Sequence, residues 1–225
     1  NFSQKIQSPS EFLGYPLGTK FTRHQEVVDY FKYLAEKSEQ ITLEKYGETY
    51  ERRKLQVAYI SSKSNIIDIE VIRKKHLTNA TLENTSALTD KAIVWLSYNV
   101  HGNEASSTEA SMLTAYKLLT EKQAWLENVV VILDPCINPD GRDRYVNWFN
   151  QVSNNVINTN PLAIEHNEPW IQGRPNHYLF DLNRDWAWVT QIESQQRLKL
   201  YNKWMPHIHV DFHEQYYNNP YYFAP

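Results

Sequence analysis

A chain of 225 residues is large enough for one substantial core and small for two. Its formal net charge of −3 gives no reason to expect nucleic acid or an anionic membrane surface as partner, and 41% apolar with 22% charged residues is ordinary for a globular domain. One cysteine excludes an internal disulfide framework and Cys-rich zinc sites, and no run approaches the roughly 20 apolar residues of a membrane-spanning helix.

Residues 1–20 carry Pro9, Gly14, Pro16 and Gly18 and read as an extended leader over the surface. Thr22-x-x-Gln25 has the form of a capping box, and it opens a predicted helix with Val27, Val28, Phe31, Leu34 and Ala35 on one face, ending near Ser38. Three strand-like runs follow, Ile41–Tyr46, Leu55–Ile60 and Ile66–Val71, punctuated by Gly47 and a Ser-rich cluster. Asn79–Asp90 reads as a polar loop. Ala92–Tyr98 reads as a buried strand running into His101-Gly-Asn-Glu104, and Glu104–Thr120 as a helix with Ala105, Met112, Ala115, Tyr116 and Leu119 at helical spacing.

A second buried strand, Val129–Leu133, empties into Asp134-Pro-Cys-Ile-Asn138-Pro-Asp140-Gly141. Cys136 there reads as a small buried filler, and Asn138 and Asp140 as turn-formers. Arg142–Gln151 looks helical. The Asn- and Pro-rich segment 153–175 is a loop of a length that is usually functional or disordered. Gln191–Trp204 is an amphipathic helix, and Ile208–Phe212 is a third buried strand ending in His213-Glu214. Alternating strands and helices predict an α/β fold: a mixed, largely parallel central sheet with helices on both faces.

Three strands thus deliver polar residues to one edge of one sheet: His101 and Glu104, then Asn138 and Asp140, then His213. Two His and one carboxylate, with the fourth position left to water, is a recognised catalytic zinc ligand set. Within the last strand His207, His209, Asp211 and His213 alternate onto one face, so His209-x-Asp211-x-His213 is a rival metal site. It is the weaker one, because strand residues two apart stack along a line and chelate poorly. Trp186 and Tyr216 are candidates to line the cleft, with no chemical role assigned.

In order and rough spacing, His101-Gly-Asn-Glu104, Asn138-Pro-Asp-Gly141, Gly173-Arg174, Asp181-Leu-Asn-Arg184 and the strand-end His213 resemble the motifs of the zinc metallocarboxypeptidases. The resemblance runs from about residue 20 to the last residue. It makes 21–225 the N-terminal and central part of a carboxypeptidase A-like catalytic domain. Asn103 stands where the pancreatic branch has an arginine, so the chain is closer to the regulatory and bacterial branches.

The resemblance implies one Zn2+ per chain held by His101, Glu104 and His213, with Asp181 orienting the first histidine. It implies that Asn183 and Arg184 grip the free C-terminal carboxylate of a peptide substrate, and that Arg174 stabilises the oxyanion. A bland alternative for Arg184 is a structural ion pair with Asp181 or Asp185.

The family's general-base glutamate and capping tyrosine lie downstream of the third ligand. Nothing in residues 214–225 fits them: Glu214 is expected to point away from its neighbour, and Tyr221 and Tyr222 come too early. The expectation is an incomplete catalytic domain of an exported (periplasmic or secreted) zinc carboxypeptidase. The alternatives are a deacylase or amidase of the same fold, acting on N-acyl amino acids or cell-wall peptides, and a non-catalytic module that binds a peptide terminus. Side-chain preference and oligomeric state are not encoded in any motif of the chain.

Overall fold

The computed structural model describes residues 5–80, 91–154, 156, 158–215 and 219–220, without the side chains of 79 and 80. Its centre is a five-stranded mixed sheet of β1 (Ile41–Glu48), β2 (Lys54–Ile60), β3 (Ala92–Tyr98), β4 (Val129–Asp134) and β5 (Ile208–Phe212), in spatial order β1-β2-β4-β3-β5. β1 and β2 form an antiparallel hairpin, and β2 also pairs antiparallel with β4. β3 runs parallel to both β4 and β5. The parallel pairing therefore sits where the three motif-bearing strands meet, and it puts their C-terminal ends on one edge. In open α/β sheets that edge is where sites assemble.

Two apolar layers clamp this sheet. On one face α2 (His24–Lys37) and α5 (Ser106–Thr120) bring Val27, Phe31, Leu34, Met112, Ala115 and Leu119 against Ala58, Ile60, Val131 and Leu133. On the other, α4 (Ile69–Ala80) and α7 (Ile192–Trp204) pack Ile72, Leu200 and Trp204 on Val57, Ile93, Trp95 and Ile132. The Trp204 indole donates to the Tyr59 hydroxyl at 3.0 Å, satisfying the polar end of a fully buried aromatic. α6 (Pro139–Val152) follows β4, with Asn138 as its N-cap. Among the described residues no helix is long and apolar enough to cross a membrane.

Several expectations are corrected. The run Ile66–Val71 is helical rather than extended, divided between α3 (Lys63–Ile67) and α4. Ile66, Ile69 and Ile72 recur at helical spacing and meet the core, while Ile67 and Val71 face solvent. The buried Asn65 amide donates to Ser61 Oγ and to the Leu126 and Glu127 carbonyls, pinning that turn. Tertiary packing overrides β-branched propensity there.

Thr22 does not cap α2. The helix starts one residue later, with the Arg23 backbone N–H donating to Glu26 at 3.2 Å, and buried Thr22 is committed to Glu109. Within residues 1–20, Pro9–Leu13 form a short helix, α1, closed by a Ser8–Glu11 capping box. β5 is the outer strand of the described sheet, with Ile208 54% and Val210 38% exposed, so it is not a buried strand. The segment after α6 is irregular, as predicted, apart from a 3-10 turn at Ile164–His166. Residues 81–90 of the predicted polar loop lie outside the described residues.

Candidate metal centre

The site begins where β3 stops. Asn99 takes a left-handed conformation (φ 60°), and its amide donates to the carbonyls of His101 (2.7 Å), Gly102 (3.3 Å) and Glu104 (3.0 Å). One side chain thus folds the whole His-Gly-Asn-Glu loop around itself. The loop is pressed onto two others. A Cβ at Gly102 would lie 2.2 Å from the Arg142 nitrogen and 2.5 Å from the Gly173 carbonyl oxygen, and one at Gly141 would lie 2.3 Å from that same oxygen. The three motifs meet backbone to backbone, an approach open only to glycine.

The Arg174 carbonyl ties the junction by accepting from Gly102 N (3.4 Å) and Asn138 Nδ2 (3.1 Å). Asn138 and Asp140 are scaffold, as predicted. Asn138 Oδ1 accepts from Gly141 N at 3.0 Å, and buried Asp140 accepts from Thr49 (2.7 Å) and Arg53 (2.8 Å). Cys136 is buried, its thiol pushed up to about 12 by burial.

Around this junction His101, Glu104 and His213 converge, with one potential ligand atom from each lying within 4.8 Å of the others. Glu104 Oε1 is 2.8 Å from His101 Nδ1, and its Oε2 is 3.2 Å from His213 Nδ1. The outer nitrogen of each ring has its own carboxylate: His101 Nε2 meets Asp181 Oδ1 at 2.9 Å, and His213 Nε2 meets Asp211 Oδ2 at 3.1 Å. Burial works to raise the Glu104 carboxyl, but the two imidazoles and the Glu214 backbone N–H outweigh it and hold the group at about 2. His213, between Asp211 and Glu104, is pushed up to about 10. Two imidazole nitrogens and an ionised carboxylate, converging on one point with both rings braced from behind, fit a zinc-type cation.

Asp181 also caps the 3-10 turn Leu182–Arg184 by accepting from Asn183 N at 2.9 Å. Arg174 reaches the cluster from the long loop, donating to Glu104 Oε1 (3.4 Å) and Asp181 Oδ2 (3.1 Å), with its side chain 40% exposed. Arg184 is exposed, and its guanidinium makes no ion pair among the described residues. Asp185, the alternative structural partner, instead accepts from Thr190 and Gln191 in the following loop. Asn183 is half-buried beside Arg184.

The rival set on β5 does not assemble. His209 Nε2 is engaged by Ser97 Oγ, His207 Nδ1 accepts from the Ile93 backbone N–H at 3.0 Å, and only His213 joins a metal-type group. A second group of potential ligands, Glu51, Asp140 and His177, already surrounds a cation, because Arg53 donates to both Glu51 and Asp140.

Glu214 departs from expectation. β5 ends at Phe212, so strand alternation no longer governs it; its carboxylate accepts from Ser106 N (2.8 Å) at the start of α5, and its N–H donates to Glu104 (2.9 Å). Asp211, which the sequence offers only as a member of the rival set, and Glu168, which no motif marks, both support the site. Asp211 braces His213, and Glu168 accepts from Asn103 Nδ2 at 3.0 Å and from Gly173 N. Trp186 covers a buried arginine, Arg197, at 3.9 Å. Tyr216, Tyr217, Tyr221 and Tyr222 lie outside the described residues.

The zinc carboxypeptidase family pattern matches residues 27–205. Probable carboxypeptidase 2 of Arthroderma benhamiae is 30% identical over 141 residues, covering 61% of this chain and 21% of that protein. Carboxypeptidase 2 of Trichophyton rubrum is 27% identical over 198 residues, 86% of this chain and 28% of its own length. The chain thus spans between about a fifth and 28% of these curated relatives. Among solved structures, carboxypeptidase A from Helicoverpa armigera superposes with a TM-score of 0.61 at 17% identity, over 95% of this chain and 49% of that one. Bovine thrombin-activatable fibrinolysis inhibitor, solved in complex with tick carboxypeptidase inhibitor, gives 0.54 at 12% identity, over 88% of this chain and 62% of that one. At those identities the two structures speak to the fold alone.

Proposed function

The chain belongs to the zinc carboxypeptidase family, and on that premise we propose that it carries the metal centre of a zinc-dependent enzyme that hydrolyses the C-terminal peptide bond of peptides. The observation that carries this reading is the convergence of His101, Glu104 and His213 on one point. His101, Glu104 and His213 would hold a single Zn2+. When bound, zinc would act as a Lewis acid toward the scissile carbonyl and lower the pKa of water at the site.

The chain's own residues do the rest. Asp181 fixes His101 in one ring orientation by occupying its outer nitrogen. Arg174, whose guanidinium lies beside Glu104 and Asp181, would donate to the carbonyl oxygen as negative charge develops there. Arg184, exposed and without an ion-pair partner among the described residues, presents a planar fork suited to a substrate carboxylate, with Asn183 beside it. By the same family relationship the enzyme is proposed to be exported, which cell fractionation tests.

The test is a comparison of three substrates on the whole protein: a peptide with a free C-terminus, the same peptide amidated, and an N-acyl amino acid. The proposal expects cleavage of the free peptide, none of the amide, and a rise in KM for Arg184→Ala on the free peptide. Cleavage of the N-acyl amino acid with the peptide untouched would make the enzyme a deacylase. No turnover of any of the three would favour a terminus-binding module.

A further inference from the structure

The two imidazoles of the cluster are braced alike by carboxylates, but the carboxylates have different surroundings. Asp181, behind His101, is shared with half-exposed Arg174 on the open side. Asp211, behind His213, lies on β5 opposite Ser97 of β3, and it turns its second oxygen inward. That atom, Oδ1, is buried and has no hydrogen-bond partner among the described residues.

Arg197 of α7, 1% exposed, also has Nε and both terminal nitrogens without a hydrogen-bond partner and no carboxylate within ion-pair distance among the described residues, with the Trp186 ring on its face at 3.9 Å. A guanidinium so buried is strongly destabilising unless a negative charge compensates it. The groups near enough to act on it electrostatically are Tyr46, Asp134, Asp211 and Asp185. Tyr46 is neutral, donating its hydroxyl proton to Asp134 at 2.8 Å. Asp134 accepts that proton through one oxygen; its other oxygen is also buried without a hydrogen-bond partner among the described residues, and burial pushes its carboxyl up to about 7. Asp185 is taken by the N–H groups of Thr190 and Gln191. Asp211 is left, with a buried oxygen that no donor among the described residues claims.

We propose that Asp211 is a positioning residue for His213: its Oδ2 fixes the outer nitrogen of that imidazole, and the buried charge of Arg197, out of direct contact, compensates the carboxylate electrostatically. The third corner of the metal centre is thereby coupled by charge to α7, on the opposite side of the sheet from α5. This inference rests on the metal-centre reading above.

The experiment measures Zn2+ affinity by chelator competition, and the visible spectrum of the Co2+-substituted protein, in wild type, Asp211→Ala, Asp211→Asn and Arg197→Lys, with the metal-free thermal midpoint as the folding control. Loss of an outer carboxylate on a ligand histidine weakens metal affinity by about 10- to 100-fold. Asp211→Ala is expected to fall in that range with an altered Co2+ spectrum, and to lower the metal-free midpoint as well, because it leaves Arg197 without its compensating charge. Asp211→Asn is expected to lose less. Arg197→Lys combined with Asp211→Ala is expected to lose no more than Asp211→Ala alone. Wild type that binds zinc, with Asp211→Ala unchanged in affinity and spectrum, would overturn the inference and leave the metal centre standing. Wild type that binds no zinc would overturn both. Additive losses in the double variant would overturn the part assigned to Arg197.

Discussion

Arg174 illustrates how much of the site depends on one side chain placed by one loop. Its guanidinium touches Glu104 and Asp181 but is not among the converging ligand atoms, so metal binding and charge stabilisation are separable there. Arg174→Ala is expected to lower kcat by about 10²- to 10³-fold, the usual loss for one oxyanion donor, with zinc content unchanged. Loss of zinc in that variant would make Arg174 structural.

Asp134 gives a pH signature of another kind. Burial raises its carboxyl from 3.8 to about 7, with Tyr46, Arg197 and the Cys136 backbone N–H pulling downward and Asp211 upward. The folded state therefore binds a proton that the unfolded chain releases near pH 4. The associated stability is full below that pH and is lost as pH rises through about 7. Asp134→Asn removes this titration. It should flatten the fall in thermal midpoint between pH 5 and 8 and leave the variant more stable at pH 8, by about 2–4 °C for each kcal/mol recovered. A midpoint that falls with pH as steeply as wild type would contradict the assignment.

Elements are joined near the site by close backbone contact and by buried charge. Gly102, Gly141 and Gly173 let three loops touch, and Gly102→Ala would force a Cβ to within 2.2 Å of the α6 backbone. Because the atoms it meets are backbone, the variant is expected to lose about 1–3 kcal/mol in denaturant unfolding, together with metal affinity. Stability within 0.5 kcal/mol of wild type, the scatter of neutral surface changes, would mean the loops can separate freely.

Arg142 of α6 donates to Glu109 of α5 at 2.6 Å and to the Thr22 and Ala105 carbonyls, all in the interior. Arg142→Met strands the Glu109 carboxylate and is expected to cost about 3–5 kcal/mol.

The sequence is legible where an element is long, periodic or entirely apolar. β3, β4, α5 and α7 appear almost at their observed bounds because their apolar spacing allows one conformation. Ile66–Val71 is misread because β-branched residues at helical spacing satisfy both patterns, and only the core beneath α4 decides between them. The exposure of β5 is invisible because burial depends on which strand becomes its neighbour. At the site, His101 and Glu104 are read from local spacing, whereas His213 needs the parallel register to bring it across. Asp211 reads in the sequence only as a rival ligand, because alternation alone cannot say that it meets His213's outer nitrogen with one oxygen and the interior with the other.

At the scale of the whole molecule, the parallel trio β4-β3-β5 is the device that makes a site. It aligns three C-terminal strand ends, and two apolar layers hold the trio flat from either side. A metal joining the β3 loop to the end of the outer strand β5 would link the two flanks of that edge. Its removal should therefore be felt as lost stability. At free zinc 100-fold above the dissociation constant, the metal contributes about 2.7 kcal/mol, so chelation should lower the thermal midpoint by roughly 5–10 °C, and readdition should restore it.

The most direct test of the account is zinc per chain, by elemental analysis of purified wild type beside His213→Ala. The account predicts close to one zinc ion per chain in wild type and nearly none in the variant. Equal zinc in both, or none in wild type after readdition at neutral pH, would contradict it.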